Sequence, residues 1–182
     1  MRNAQKDSVQ GVSLGRIAGL SLSAMPSTFW SMAAVWLVLT AVTFWLLGFG
    51  FGTAVLAGMI GVVIHWLSDF VHQLGHAVAA QRTGYPMTGL RFWGIFSTSH
   101  WPADEPELPG RVHLQRALGG PIASILIGSF FWFVAWLVGP DAGLFWWLAV
   151  LAAADNLLLL GVGAFAPLGF TDGSTILHWW NQ

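Results

Sequence analysis

The stretch His65-Trp66-Leu67-Ser68-Asp69-Phe70-Val71-His72-Gln73-Leu74-Gly75-His76 decides the reading of this chain. It is rich in apolar residues, and its flanks are more apolar still. Yet it holds four side chains able to bind metal. On a helix of 3.6 residues per turn, His65, Asp69, His72 and His76 fall at about 0°, 40°, 340° and 20°, one narrow stripe. Polar groups this dense in an apolar helix are costly to bury and need partners. The stripe therefore reads as the wall of a metal site.

The composition fits such a helix. The 182 residues are 55% hydrophobic and 8% charged, with 12 Trp. A soluble domain carries about 25% charged residues, so this is a membrane protein. With no Cys there is no disulfide framework and no thiolate zinc or iron–sulfur site. A net charge of −1 argues against nucleic acid as a partner. The length suits one domain over 1–182.

Outward from the stripe, the helix runs over 53–83. Gly84 is its C-cap candidate, and Pro86 blocks continuation. Before it, 29–49 is an apolar run long enough to span a bilayer. After it come spans over 114–138 and 144–164, the last with Asp155-Asn156 in its middle. The expected fold is all-α and polytopic, with about four transmembrane helices and a short membrane-associated β element. Residues 87–99 mix β-formers with Gly and read as a strand pair or a re-entrant segment. Residues 1–28 are polar. Leu20 to Ser23 alternates at period two, which suits a short strand as well as a tail. Gly120, Ser124 and Gly128 recur at i+4 and read as a helix-packing ridge. Pro102–Pro109 reads as an exposed connector, and 165–182 as a loop with a short terminal helix. Trp146, Trp147, Trp179 and Trp180 suit interfacial belts.

All seven basic residues lie in two blocks, Arg2, Lys6 and Arg16, then Arg82, Arg91, Arg111 and Arg116. Two spans separate the blocks, so both face one side. The positive-inside rule makes that side, and the N-terminus, cytosolic.

His72 and His76 stand at i and i+4 and can reach one zinc from a single helix face. This is the physical content of the H-E-x-x-H pattern, whose Glu is the general base. The present sequence reads H-Q-x-x-H. A zinc site needs a third protein ligand, and Asp155 and Asp172 are the candidates. A haem ligated by histidines of different helices is a competing reading. His65 and Asp69 are expected to pair with each other or with Asp155, or else Asp69 accepts a hydrogen bond from a ligand His.

The sequence resembles the site-2 protease family of intramembrane zinc metalloproteases. His72-Gln-Leu-Gly-His76-Ala is similar to the family's H-E-L-G-H-A segment. Gly120-Pro121-Ile-Ala-Ser124 resembles its G-P-x-A-N segment, and Pro167 with Asp172-Gly173 its N-x-x-P…D-G motif. Leu14 to Leu22 is similar to the strand before the first span. The resemblance runs over about 12–177. It implies that His72, His76 and Asp172 bind Zn2+ and that residues 87–99 include an edge strand for an extended substrate. It also implies a plasma-membrane protein, bacterial or archaeal, whose partners are the lipid bilayer and a transmembrane substrate.

Three positions depart from the family pattern. Ser124 and Ala164 stand where the family has Asn, and Asn156 is the candidate to compensate. Gln73 stands at the general base. An amide can orient a water but cannot accept its proton, and loss of a general base costs about 10²–10⁴ in rate. The expectation is a zinc-binding protease crippled as written. An isosteric exchange engineered to trap substrate and a natural pseudo-protease that binds transmembrane segments both account for Gln73.

Overall fold

A computed structural model describes residues 11–180. Arg2 and Lys6 of the first basic block lie outside the described residues. The chain begins with strands β1 (Val12–Ile17) and β2 (Leu20–Ala24), followed by helix α1 (Pro26–Ala41), which continues in wider turns to Leu46. Helix α2 (Phe51–Arg82) leads to strands β3 (Gly89–Trp93) and β4 (Phe96–His100). Helix α3 (Gly110–Val138) and helix α4 (Leu144–Ala154) follow, the latter continuing in π-type turns over Asp155–Val162. A short helix α5 (Asp172–Trp179) closes the described chain. Four helical stretches are long and apolar enough to cross a membrane, namely Pro26–Leu46, Phe51–Arg82, Gly110–Val138 and Leu144–Phe165.

The β element is larger than the sequence suggested. Its four strands lie in the order β1-β2-β3-β4, with β2 parallel to β3 and both outer pairs antiparallel. The polar N-terminal segment is therefore a hairpin from Val12 onward, not a tail. Residues 89–100 form the second hairpin, joined to the first through Leu22 opposite Leu90. Alternation along β2 buries Leu20, Leu22 and Ala24 and leaves Ser21 exposed. Leu20, Leu22 and Leu90 pack on Ala80 and Met87, which fixes the sheet to the C-terminal end of α2. β4 is an edge strand of this sheet.

Helix α2 ends where a left-handed residue intervenes. Thr83 takes the capping position, and Gly84 follows at φ +83°. Its central partner is α3, and the two backbones meet at Gly75 and Gly119. A Cβ on either glycine would overlap the carbonyl of the other. This close approach carries the α2 stripe against α3. Helix α1, by contrast, is almost wholly exposed and apolar, as suits a lipid-facing span.

Candidate metal centre

His72, Gln73 and His76 are buried on α2, and Asp172 is the first residue of α5. The break after α4 lets the chain turn back so that Asp172 meets the two imidazoles. His72 Nε2 lies 3.2 Å from one Asp172 carboxylate oxygen, and His76 Nε2 lies 3.3 Å from the other. The two Nε2 atoms are 3.0 Å apart. The three residues are the metal-competent cluster among the described residues.

The opposite side of each ring is occupied. His72 Nδ1 lies 2.9 Å from Ser124 Oγ, and His76 Nδ1 lies 2.8 Å from the Arg116 carbonyl oxygen. A carbonyl only accepts, so His76 carries its proton on Nδ1 and presents a lone pair at Nε2. That lone pair faces a carboxylate, which also only accepts. A cation between them satisfies both. Four tetrahedral ligands at about 2.0–2.1 Å from zinc stand about 3.3 Å from one another. The two Nε2 atoms are 3.0 Å apart and each has its own Asp172 oxygen at 3.2 or 3.3 Å, separations near that edge length. The donor set therefore fits a tetrahedral metal with three protein ligands.

Converging Nε2 atoms on one helix face do not suit haem, whose axial ligands approach from opposite faces. Asp155, the other candidate third ligand, is engaged elsewhere. Its Oδ1 lies 3.0 Å from His65 Nδ1. Asp69 accepts from neither ligand histidine, since Ser124 and the Arg116 carbonyl hold those places. The small residues of α3 are thus more than a packing ridge. Gly120 leaves room for the imidazoles, because a Cβ there would overlap both His72 and His76. Ser124 orients His72 by hydrogen bonding, as metal-bound histidines require. Asn156 does not compensate at the site. Its amide donates to Ser68 Oγ (2.6 Å) and to the Ala152 carbonyl (2.9 Å), bracing α4 against α2.

Gln73 faces the sheet. Its Nε2 donates to the Ser97 carbonyl at 3.2 Å, and its Oε1 accepts from Ser99 Oγ at 2.8 Å. His72, His76, Asp172, Gln73 and residues of β4 line one cavity of about 700 Å³. Its wall also includes Asp69, Leu160, Phe170 and Trp179. At its rim Arg116 is buried, paired with Glu105 at 2.6 and 3.1 Å and lying over the Trp101 ring at 4.0 Å. The Pro102–Pro109 connector is therefore clamped to α3 rather than merely solvated. Trp179 stacks on His113 at 4.3 Å, a contact that the belt reading of Trp179 did not anticipate.

No family model matches the chain. Over 92% of its length it is 27% identical to the protein named "Putative zinc metalloprotease Rip3" of Mycobacterium tuberculosis, in two strains. It spans 42% of that relative, less than half its length. Its fold matches the Site-2 Protease from Methanocaldococcus jannaschii with a TM-score of 0.62, covering 92% of this chain and 69% of that one at 18% identity. The chain is thus similar in sequence to a putative zinc metalloprotease and in fold to a site-2 protease. Four helices this long and apolar mark an integral membrane protein. Sequence reasoning reached the two histidines and both aspartates but missed Ser124 and Arg116 as orienting groups. Their spacing from the ligands in sequence carries no signal, because the contacts cross between helices.

Proposed function

We propose that the chain is an intramembrane zinc metalloprotease in design, cleaving a transmembrane segment of another protein, and that Gln73 impairs it as written. One observation carries this reading. Two imidazole nitrogens and a carboxylate converge within ligand distance of one another inside a cavity walled by an edge strand. The name borne by the Mycobacterium tuberculosis relative supports zinc as the metal. His72, His76 and Asp172 would hold the ion. Zinc, when bound, supplies Lewis acidity at the scissile carbonyl and makes water a better nucleophile near neutral pH.

The protein's own groups do the rest. Ser124 and the Arg116 carbonyl hold the two ligand rings in place. β4 offers backbone groups to an extended substrate, which offsets part of the cost of unwinding a helical one. Gln73 can orient water through its amide but has no site for the proton. The two basic blocks support a cytosolic N-terminus and a site nearer the cytosol. A bacterial or archaeal plasma membrane suits the two organisms of the matched proteins.

The second reading is a non-catalytic binder of transmembrane segments. The engagement of both ends of the Gln73 amide by β4 favours it. One experiment separates the two. The purified chain and its Gln73→Glu variant are assayed for zinc content and for cleavage of a transmembrane peptide. Zinc in both with cleavage by the Glu form alone supports the protease reading. Zinc in both with an inert Glu form favours the binder, and absence of zinc from both sinks the metal site itself.

A further inference from the structure

His65, Asp69 and Gln73 stand at i, i+4 and i+8 on α2, while Ile95, Ser97 and Ser99 stand at j, j+2 and j+4 along β4 and the turn before it. The two sets meet in order. His65 Nε2 lies 2.7 Å from the Ile95 carbonyl. The Asp69 carboxyl group lies beside Ser97. Gln73 donates to the Ser97 carbonyl and accepts from Ser99 Oγ. Four helix residues advance about 6.0 Å, and two strand residues about 6.6 Å. A helix stripe at every fourth residue therefore keeps step with a strand face at every second.

The far end of this ladder is a His–Asp pair. His65 Nδ1 faces Asp155 Oδ1, and Nε2 faces a carbonyl. The carbonyl only accepts, so Nε2 donates to it, while Nδ1 meets the Asp155 carboxyl group. That pair ties the tip of the β3–β4 hairpin to α2 and to the turns after α4. The near end is the neutral Gln73 amide beside ligand His72. The middle rung is weak, since Asp69 Oδ2 and Ser97 Oγ each lack a hydrogen bond. The outer rungs therefore set the strand.

We propose that this stripe is a rail that sets β4 in register with the candidate metal centre, with His65 and Asp155 as positioning residues. The inference rests on reading β4 as the edge that takes substrate. It assigns His65 and Asp155 a task in substrate alignment at a distance from the metal ligands.

The test compares His65→Leu, which removes both ring nitrogens, with His65→Gln, which keeps a donor that can reach the Ile95 carbonyl. Three quantities are measured on the purified full chain loaded with zinc. They are amide hydrogen exchange over residues 95–99, zinc content, and affinity for a fluorescent transmembrane peptide of about 20 residues with a central Gly-Pro. In His65→Leu, exchange at 95–99 is expected to be about tenfold faster and peptide binding about tenfold weaker, the effect of losing about one buried hydrogen bond. Zinc content is expected to stay unchanged, and His65→Gln to recover both readouts in part. Unchanged exchange at 95–99 in a folded His65→Leu overturns the proposal. So does acceleration spread equally over α3, which marks a merely structural role. Should His65→Leu fail to fold, Asp155→Asn weakens the anchor more mildly. Faster exchange confined to 95–99 supports the rail, and no change there overturns it. If the peptide binds neither parent nor variant while the hairpin loosens, the substrate-edge reading alone fails and the rail stands.

Discussion

Gln73 donates a hydrogen bond from Nε2 to the Ser97 carbonyl oxygen, 3.2 Å away, so the residue proposed to stand at the general-base position is also a tie to the edge strand. A glutamate there could still accept from Ser99 Oγ but could not donate to Ser97. Gln73→Glu therefore changes two things at once. It adds a proton acceptor and frees one strand carbonyl. Cleavage of a transmembrane peptide is expected to rise by about 10²–10⁴ over the Gln73 form. Zinc content should be the same in both, and a rate below tenfold over the parent counts against the base assignment.

The outer hydrogen bonds of the ligand rings have measurable weight. Ser124→Ala removes the group that meets His72 Nδ1. Zinc affinity is expected to fall about 10–100-fold, the usual cost of losing such a partner. Asp172→Ala should abolish stoichiometric zinc. Competition with a chromophoric chelator reads both, and an unchanged affinity in Asp172→Ala refutes the ligand set.

Close backbone approach makes small residues critical beside the site. Gly120→Ala places a methyl group against both imidazoles. Zinc loss is expected to exceed any loss of thermal stability. Gly119→Val should do the reverse, forcing α2 and α3 apart and destabilising by about 1–3 kcal/mol. Thermal unfolding in detergent, read beside zinc content, separates the two effects.

Glu105 links the connector loop to α3. Its hydrogen bonds to Arg116 hold its carboxyl below the ordinary value of 4.5. A carboxyl lowered in the folded state adds stability that is fully present above the unfolded value and lost as pH falls through the folded one. Melting temperature is expected to drop as pH falls below about 4.5, and Glu105→Gln should lack that component of the drop. Matching profiles for parent and Glu105→Gln would discard the pair as a source of the acid sensitivity.

Much of this protein was legible in one dimension. Span length and hydropathy mark the helices, because a bilayer demands long apolar runs with internally satisfied backbones. The i, i+4 spacing alone places His72 and His76 on one face. Gly84 and Pro86 mark the end of α2, because backbone geometry there is local. What the tertiary structure decided lies across the gaps between elements. By residue type and position alone Asp155 and Asp172 were both candidates, and only the resemblance favoured Asp172. Only the turn after α4 sends Asp155 to His65 and Asp172 to the histidine pair. Ser124 and Arg116 became orienting groups because Gly75 and Gly119 let two helices touch. The opening stripe, uniform as a pattern, divides in three dimensions. His72 and His76 face Asp172, while His65, Asp69 and Gln73 face a strand whose step matches theirs. Periodicity fixes which side chains share a face. What that face meets depends on long-range packing, which no local pattern encodes.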